Sequence, residues 1–150
     1  MRLRLLVIFL ALLATAVACG DGDETGLPGV TIDVHAHLDE WSVKLEPASI
    51  AKSGRVTFEA HNHGEVPHQL VVIKTDLNPA DLPLERVAVD VETAGEQLLS
   101  VDVPAADGEA GRQVSATELD PGEYAIICNI PGHYQQGMYA SFEVTEAPQS

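Results

Sequence analysis

Basic side chains are scarce in this chain. Eight lysines and arginines stand against 23 aspartates and glutamates, a formal charge of −15 over 150 residues. A surface of that sign repels nucleic acid and anionic lipid, so neither is an expected partner through charge. Sulfur is scarcer still, with two cysteines and two methionines, one of them Met1. Two cysteines build no disulfide scaffold, and one internal methionine makes no methionine-rich tract for passing on soft metal ions. The one long apolar run, at 5–17, falls short of the roughly 20 residues that a membrane helix needs. No glycine-rich phosphate loop, Ser/His/Asp set or paired carboxylates can be read, which leaves hydrolysis and phosphoryl transfer without a motif.

The apolar run has a different meaning. Arg2 and Arg4 precede it and Ala16-Val17-Ala18 closes it, the pattern of a secretory signal peptide over 1–18. Val17-Ala18-Cys19 resembles a bacterial lipobox, although Ala16 stands where leucine is usual. The expectation is a lipid anchor on Cys19 in the bacterial cell envelope, in the periplasm or on the outer face of the membrane. The alternative is an ordinary secreted protein with a free thiol, which would be a reactive liability there. A disulfide between Cys19 and Cys128 is disfavoured, because it would tie a flexible segment to the loop described below and consume its thiolate. Residues 19–29 are small and acidic and read as a tether. Loss of Arg2 and Arg4 with the leader takes the formal charge to −17. Residues 30–146 are the expected single domain and 147–150 a tail.

Within the domain the hydrophobic period is mostly two. Over 31–38, Ile32, Val34, Ala36 and Leu38 alternate with Thr31, Asp33, His35 and His37, a half-buried strand. The phase shifts after Asp39-Glu40, so that Trp41, Val43 and Leu45 become the apolar set, as a bulge would produce. Alternation returns over 55–63, with Val56, Phe58 and Ala60 inward and Glu59, His61 and His63 outward. Leu70-Val71-Val72-Ile73 is a continuous apolar run for a core strand. Residues 75–111 read as a long irregular crossover, broken by Pro79, Pro83 and Pro104, with room for a helical turn at 82–89 or 95–99. Asp120-Pro121-Gly122-Glu123 is a turn. It leads into Tyr124-Ala125-Ile126-Ile127, and Ala140, Phe142 and Val144 mark a last strand. Short strands between turns argue an all-β, two-sheet antiparallel sandwich.

The most informative stretch is Cys128-Asn129-Ile130-Pro131-Gly132-His133-Tyr134-Gln135-Gln136-Gly137-Met138. It places a thiol, an imidazole and a thioether in one loop, spaced C-x4-H-x4-M. Thiolate and thioether select Cu(I) and imidazole also suits Cu(II), so a site for both oxidation states wants all three. One nitrogen is missing. His68 is the candidate, because Pro67 restricts the backbone where the polar turn 62–67 meets the Leu70 run. Residues 128–138, with Asn62-His63-Gly64-Glu65-Val66-Pro67-His68 upstream, resemble the cupredoxins, the plastocyanin and azurin superfamily of blue copper proteins. The loop spacing is most similar to the auracyanin, rusticyanin and sulfocyanin branches. The resemblance covers about 30–145 and is weak in the middle.

That resemblance implies a Greek-key sandwich and one type 1 copper ion held by His68, Cys128, His133 and Met138. It makes His133 the surface-facing ligand through which electrons pass. Asn62, Gln69 and Asn129 are the expected supports around the ligands. Gln69 stands where the family often has asparagine or serine tying the two ligand loops together. Ile130, Pro131, Tyr134 and Met138 are the expected apolar collar for a redox protein partner, which the acidic surface would steer if that partner is basic. His35, His37, His61 and His63 lie outside this set. They read as solvent-exposed, with a second metal site open to them if their strands are neighbours. The function expected is extracytoplasmic single-electron carriage by a monomer, not an enzyme. The alternative is storage or delivery of copper without redox cycling.

Overall fold

A computed structural model describes residues 30–107 and 109–146. The expected leader 1–18, the tether 19–29 with Cys19, and the tail 147–150 lie outside the described residues.

Alternation at 31–38 becomes β1 (Val34–Asp39), whose Val34, Ala36 and Leu38 are fully buried. The phase shift that follows is not a bulge. The chain reverses over Glu40-Trp41, and β2 (Ser42–Glu46) runs back antiparallel, with Asp39 opposite Ser42. Trp41 takes φ 84 in that turn. No glycine or asparagine announces the reversal, and such residues are the usual hairpin signal. After β3 (Ser49–Ile50), β4 (Gly54–Asn62) buries Val56, Phe58 and Ala60 as its period demands. β4 lies parallel to β1, and β9 (Gly111–Leu119) flanks its other edge, giving a sheet ordered β2-β1-β4-β9.

The second sheet is ordered β3-β11-β10-β5-β8. It comprises β5 (His68–Lys74), β8 (Glu96–Val103), β10 (Gly122–Ile127) and β11 (Tyr139–Val144) with β3 at its edge. The sandwich is therefore all-β with two main sheets, but not purely antiparallel: β1–β4 and β3–β11 are parallel pairs. The inner faces meet in one core that includes Leu38, Phe58, Leu70, Val72, Ile126, Phe142, Cys128 and Met138. Burying each large apolar side chain there stabilises the fold by about 1.5–3 kcal/mol.

The continuous run at Leu70 is explained by the crossover. Residues 75–95 carry a small hairpin, β6 (Leu84–Glu85) with β7 (Ala88–Val89), and one helical turn, α1 (Val91–Ala94). Leu82, Val89 and Ala94 from this segment pack with Val71, Ile73, Ala125 and Ile127 on the outer face of the second sheet. Both faces of β5 are covered, so its polar alternation is lost. The helical turn falls at 91–94, and 95–99, a candidate helical turn by sequence, belongs to β8 against β5.

Parallel pairing of β1 with β4 also settles the four remaining histidines. His35 lies opposite Glu59 and His37 opposite His61, all on the outer face of the first sheet. His63 is exposed, but His35, His37 and His61 are half-buried against one another. They are not independent solvated side chains, because the register stacks them.

Candidate metal centre

β5 opens with His68 and β10 runs directly into Cys128, and the two strands are antiparallel neighbours with Ile127 opposite Val71. Residues sixty apart in the chain thereby meet at one end of the sandwich. The Cys128 N–H donates to the Met138 carbonyl at 3.0 Å, closing 128–138 into a loop that delivers the chain to β11. Within it a short 3-10 turn, Tyr134–Gln136, starts at His133 and stops at Gly137, whose φ of 117 suits glycine. This bend returns the chain toward Cys128 and seats Met138, which is fully buried in the same core cluster as Cys128.

The donor atoms converge. His68 Nδ1 and His133 Nδ1 are 3.1 Å apart, Cys128 Sγ is 3.5 Å from His133 Nδ1, and Cys128 Sγ is 3.8 Å from His68 Nδ1. The point equidistant from these three atoms lies about 2.0 Å from each, close to the bond lengths of about 2.0–2.3 Å that nitrogen and sulfur make to a transition-metal ion. Three electron-rich atoms facing one another repel unless a cation or protons lie between them. Burial holds both imidazoles below their usual pKa, which keeps them neutral and ready to donate. Burial pushes the Cys128 thiol up, against the N–H groups of Gln69 and Ile130, which favour the thiolate. A bound cation would displace that proton. The mixture of one thiolate, two imidazoles and a buried thioether residue fits copper.

Several side chains brace this end. Buried Asn62 donates to the carbonyls of Val66 and Pro104 and accepts from the Gly64 N–H, at 2.8, 2.9 and 2.9 Å. It thus fixes the turn that aims His68. Asn129 accepts from the Val89 N–H and donates to its carbonyl, pinning the loop to β7. Gln69 departs from expectation. Its amide turns away to Asp102 on β8 at 3.0 Å, and only its backbone N–H approaches Cys128 Sγ, at 3.3 Å. The strand-pairing direction of β5 puts that side chain over the neighbouring strand instead of over the loop.

The expected collar also changes. Tyr134 and Met138 are buried, so neither offers surface to a partner. The Tyr134 hydroxyl accepts from the Leu82 N–H at 2.9 Å and donates to the Pro79 carbonyl at 2.8 Å, a brace between loop and crossover. Pro131 is exposed and Ile130 and His133 are half-exposed. Trp41, absent from the expected set, stands edge-on to His133 with ring centroids 5.1 Å apart and is 43% exposed. Glu40 beside it accepts from the N–H groups of Glu65 and Val66, which holds its carboxyl below the usual range. A Cβ on Gly64 would overlap that carboxylate. Nothing local in Glu40-Trp41 signals these contacts, since both partners lie far off in sequence. An exposed lone tryptophan was the one available hint.

Known proteins of similar sequence and shape agree with this geometry. Auracyanin-A of Chloroflexus aurantiacus is 24% identical over 148 residues, spanning 89% of this chain and 91% of its own. The crystal structure of dithionite-reduced auracyanin from Roseiflexus castenholzii superposes with a TM-score of 0.52 at 17% identity, covering 74% of this chain and 94% of that one. Rusticyanin from Thiobacillus ferrooxidans gives a TM-score of 0.56 at 17% identity, covering 74% and 76%. Those superpositions speak for the fold. The family model described as the Sulfocyanin (SoxE) domain matches residues 47–148, about two thirds of the sequence and the whole of the donor set. The chain belongs to the sulfocyanin family of cupredoxins.

Proposed function

We propose that this protein carries single electrons between redox partners outside the cytoplasm, using one type 1 copper ion held by His68, Cys128, His133 and Met138. The observation that carries the reading is the triangle of His68 Nδ1, Cys128 Sγ and His133 Nδ1, with sides of 3.1, 3.5 and 3.8 Å. Bound copper supplies a one-electron couple between Cu(I) and Cu(II). The protein supplies a site whose donors need not move: His68 is set by the Asn62 turn and Cys128 by β10, while His133 and Met138 sit in a loop pinned through Asn129 and Tyr134. Small rearrangement on electron gain or loss is what makes a carrier fast. His133, half-exposed between Trp41 and Ile130, is the exit. Trp41, Ile130 and Pro131 form the docking collar, and the acidic surface steers a basic protein partner toward it. The lipobox-like Val17-Ala18-Cys19 supports a lipid anchor on Cys19, with residues 19–29 as the tether and the chain a monomer at the membrane.

The test is a visible spectrum of the Cu(II)-loaded protein beside Cys128→Ala, with voltammetry. Intense blue or green absorption, lost in the variant, and a reversible one-electron wave are expected. A colourless protein that exchanges Cu(I) with chelators and gives no wave would mean copper storage or delivery instead.

A further inference from the structure

The outer face of the first sheet carries a second group of metal-binding side chains. Glu59 lies at its centre and is 2% exposed, although its strand turns it away from the core. Its two oxygens are differently engaged. Oε1 is paired with the Arg112 guanidinium from β9. Oε2 faces His35 Nδ1 of β1 and His61 Nε2 of β4, each at 3.2 Å. The three atoms Glu59 Oε2, His35 Nδ1 and His61 Nε2 all lie within 4.8 Å of one another. With two sides of 3.2 Å, the point equidistant from them is at most about 2.4 Å from each, and about 2.0–2.2 Å is the usual bond from zinc to imidazole or carboxylate.

We infer that His35, Glu59 and His61 form a second metal site, for a divalent borderline cation of the Zn²⁺ or Cu²⁺ class. Two imidazoles and a carboxylate without sulfur favour such ions over Cu(I). Arg112 on Oε1 orients the carboxylate, as an outer partner of a metal ligand does. The side chain of His35 is 45% exposed and that of His61 20%, which leaves an entry path from solvent and room for a water as fourth ligand. Stacking fixes the imidazoles: His61 lies over His37, with ring centroids 5.6 Å apart and planes at 19°, and His37 continues to His63 at 5.4 Å. The ion would clip β1 to β4, two strands joined only by a parallel ladder. The family match begins at residue 47, after His35, so this site is not built from the matched region alone.

A carboxylate neutralised by Arg112, with two histidines merely hydrogen-bonded to it, is the competing explanation, and Zn²⁺ titration separates the two. Zinc chloride is added to the copper-loaded protein at neutral pH, with calorimetry for stoichiometry and the visible band monitoring the copper. One further equivalent of Zn²⁺ is expected with the copper band unchanged. His35→Ala and, separately, His61→Ala should weaken that uptake by more than about tenfold while keeping the copper band. Zn²⁺ should also raise the melting temperature of the parent protein but not of His35→Ala. Three results overturn the inference: no uptake at one equivalent, uptake that occurs only as the copper band is lost, or uptake equally tight in His35→Ala. His35 is at the surface, so its variant remains folded and the comparison stands.

Discussion

At the scale of single residues, the centre is built from groups whose protonation opposes the usual direction. His68 and His133 are held below the ordinary imidazole value of 6.5, first by burial. As pH falls past that value the unfolded chain takes up protons that the folded one resists, so the copper-free protein loses stability on acidification. Cys128 works the other way. Its thiol keeps its proton above the ordinary 9.0, so the unfolded chain releases protons first and stability falls as pH rises past that value. Thermal melts of copper-free protein across this range should show a maximum between the two values. A melting temperature that climbs steadily into acid or alkali would contradict it. Asn62 gives a second prediction. Asn62→Ala strips partners from the Val66 and Pro104 carbonyls and the Gly64 N–H and should destabilise by about 1–3 kcal/mol in chemical denaturation. The ligand residues were legible in sequence because they carry rare chemistry at fixed spacing. Glu40 and Trp41 were not, because their partners, the 64–66 turn and His133, are brought to them only by the fold.

At the scale of elements, legibility followed how local each strand's determinants are. β1 and β4 advertise themselves by alternation, and β10 by a proline-glycine turn before it. β8 does not: Glu96-Gln97-Leu98-Leu99 has no strand period of its own and is extended because it pairs with β5. β2 was merged with β1 because its hairpin turn uses a tryptophan where glycine or asparagine would signal it. The crossover looked irregular because its role is to cover a sheet, and isolated anchors such as Leu82, Val89 and Ala94 suffice for that. Tyr134 joins this cover to the metal loop. Tyr134→Phe leaves the Leu82 N–H and Pro79 carbonyl without their partner and should cost about 1–3 kcal/mol in denaturant titration. Limited proteolysis should then cut within 75–90 sooner than in the parent. Unchanged cleavage would mean that the crossover is held by its apolar anchors alone.

At the scale of the whole molecule, charge and docking separate into different observables. A chain at −17 after leader removal should exchange electrons with a basic protein partner at a rate that falls steeply with ionic strength, since salt near 0.1 M screens beyond about 10 Å. Stopped-flow rates against a salt series check this; a flat series would mean that charge serves solubility only. Ile130→Asp should instead lower the rate at every salt concentration while the copper band stays in place, because it spoils the apolar patch beside His133 and not the donor set.

The turn at Trp41 has one more consequence, for anyone evolving this protein in the laboratory. An L-residue at φ 84 is strained by roughly 1 kcal/mol, and glycine would relieve it. A screen that rewards heat resistance alone would therefore favour Trp41→Gly and leave the His133 ring bare. Survivors of such a screen would outlast the parent on heating and trail it in partner turnover. Only a selection that scores both traits together would keep the indole.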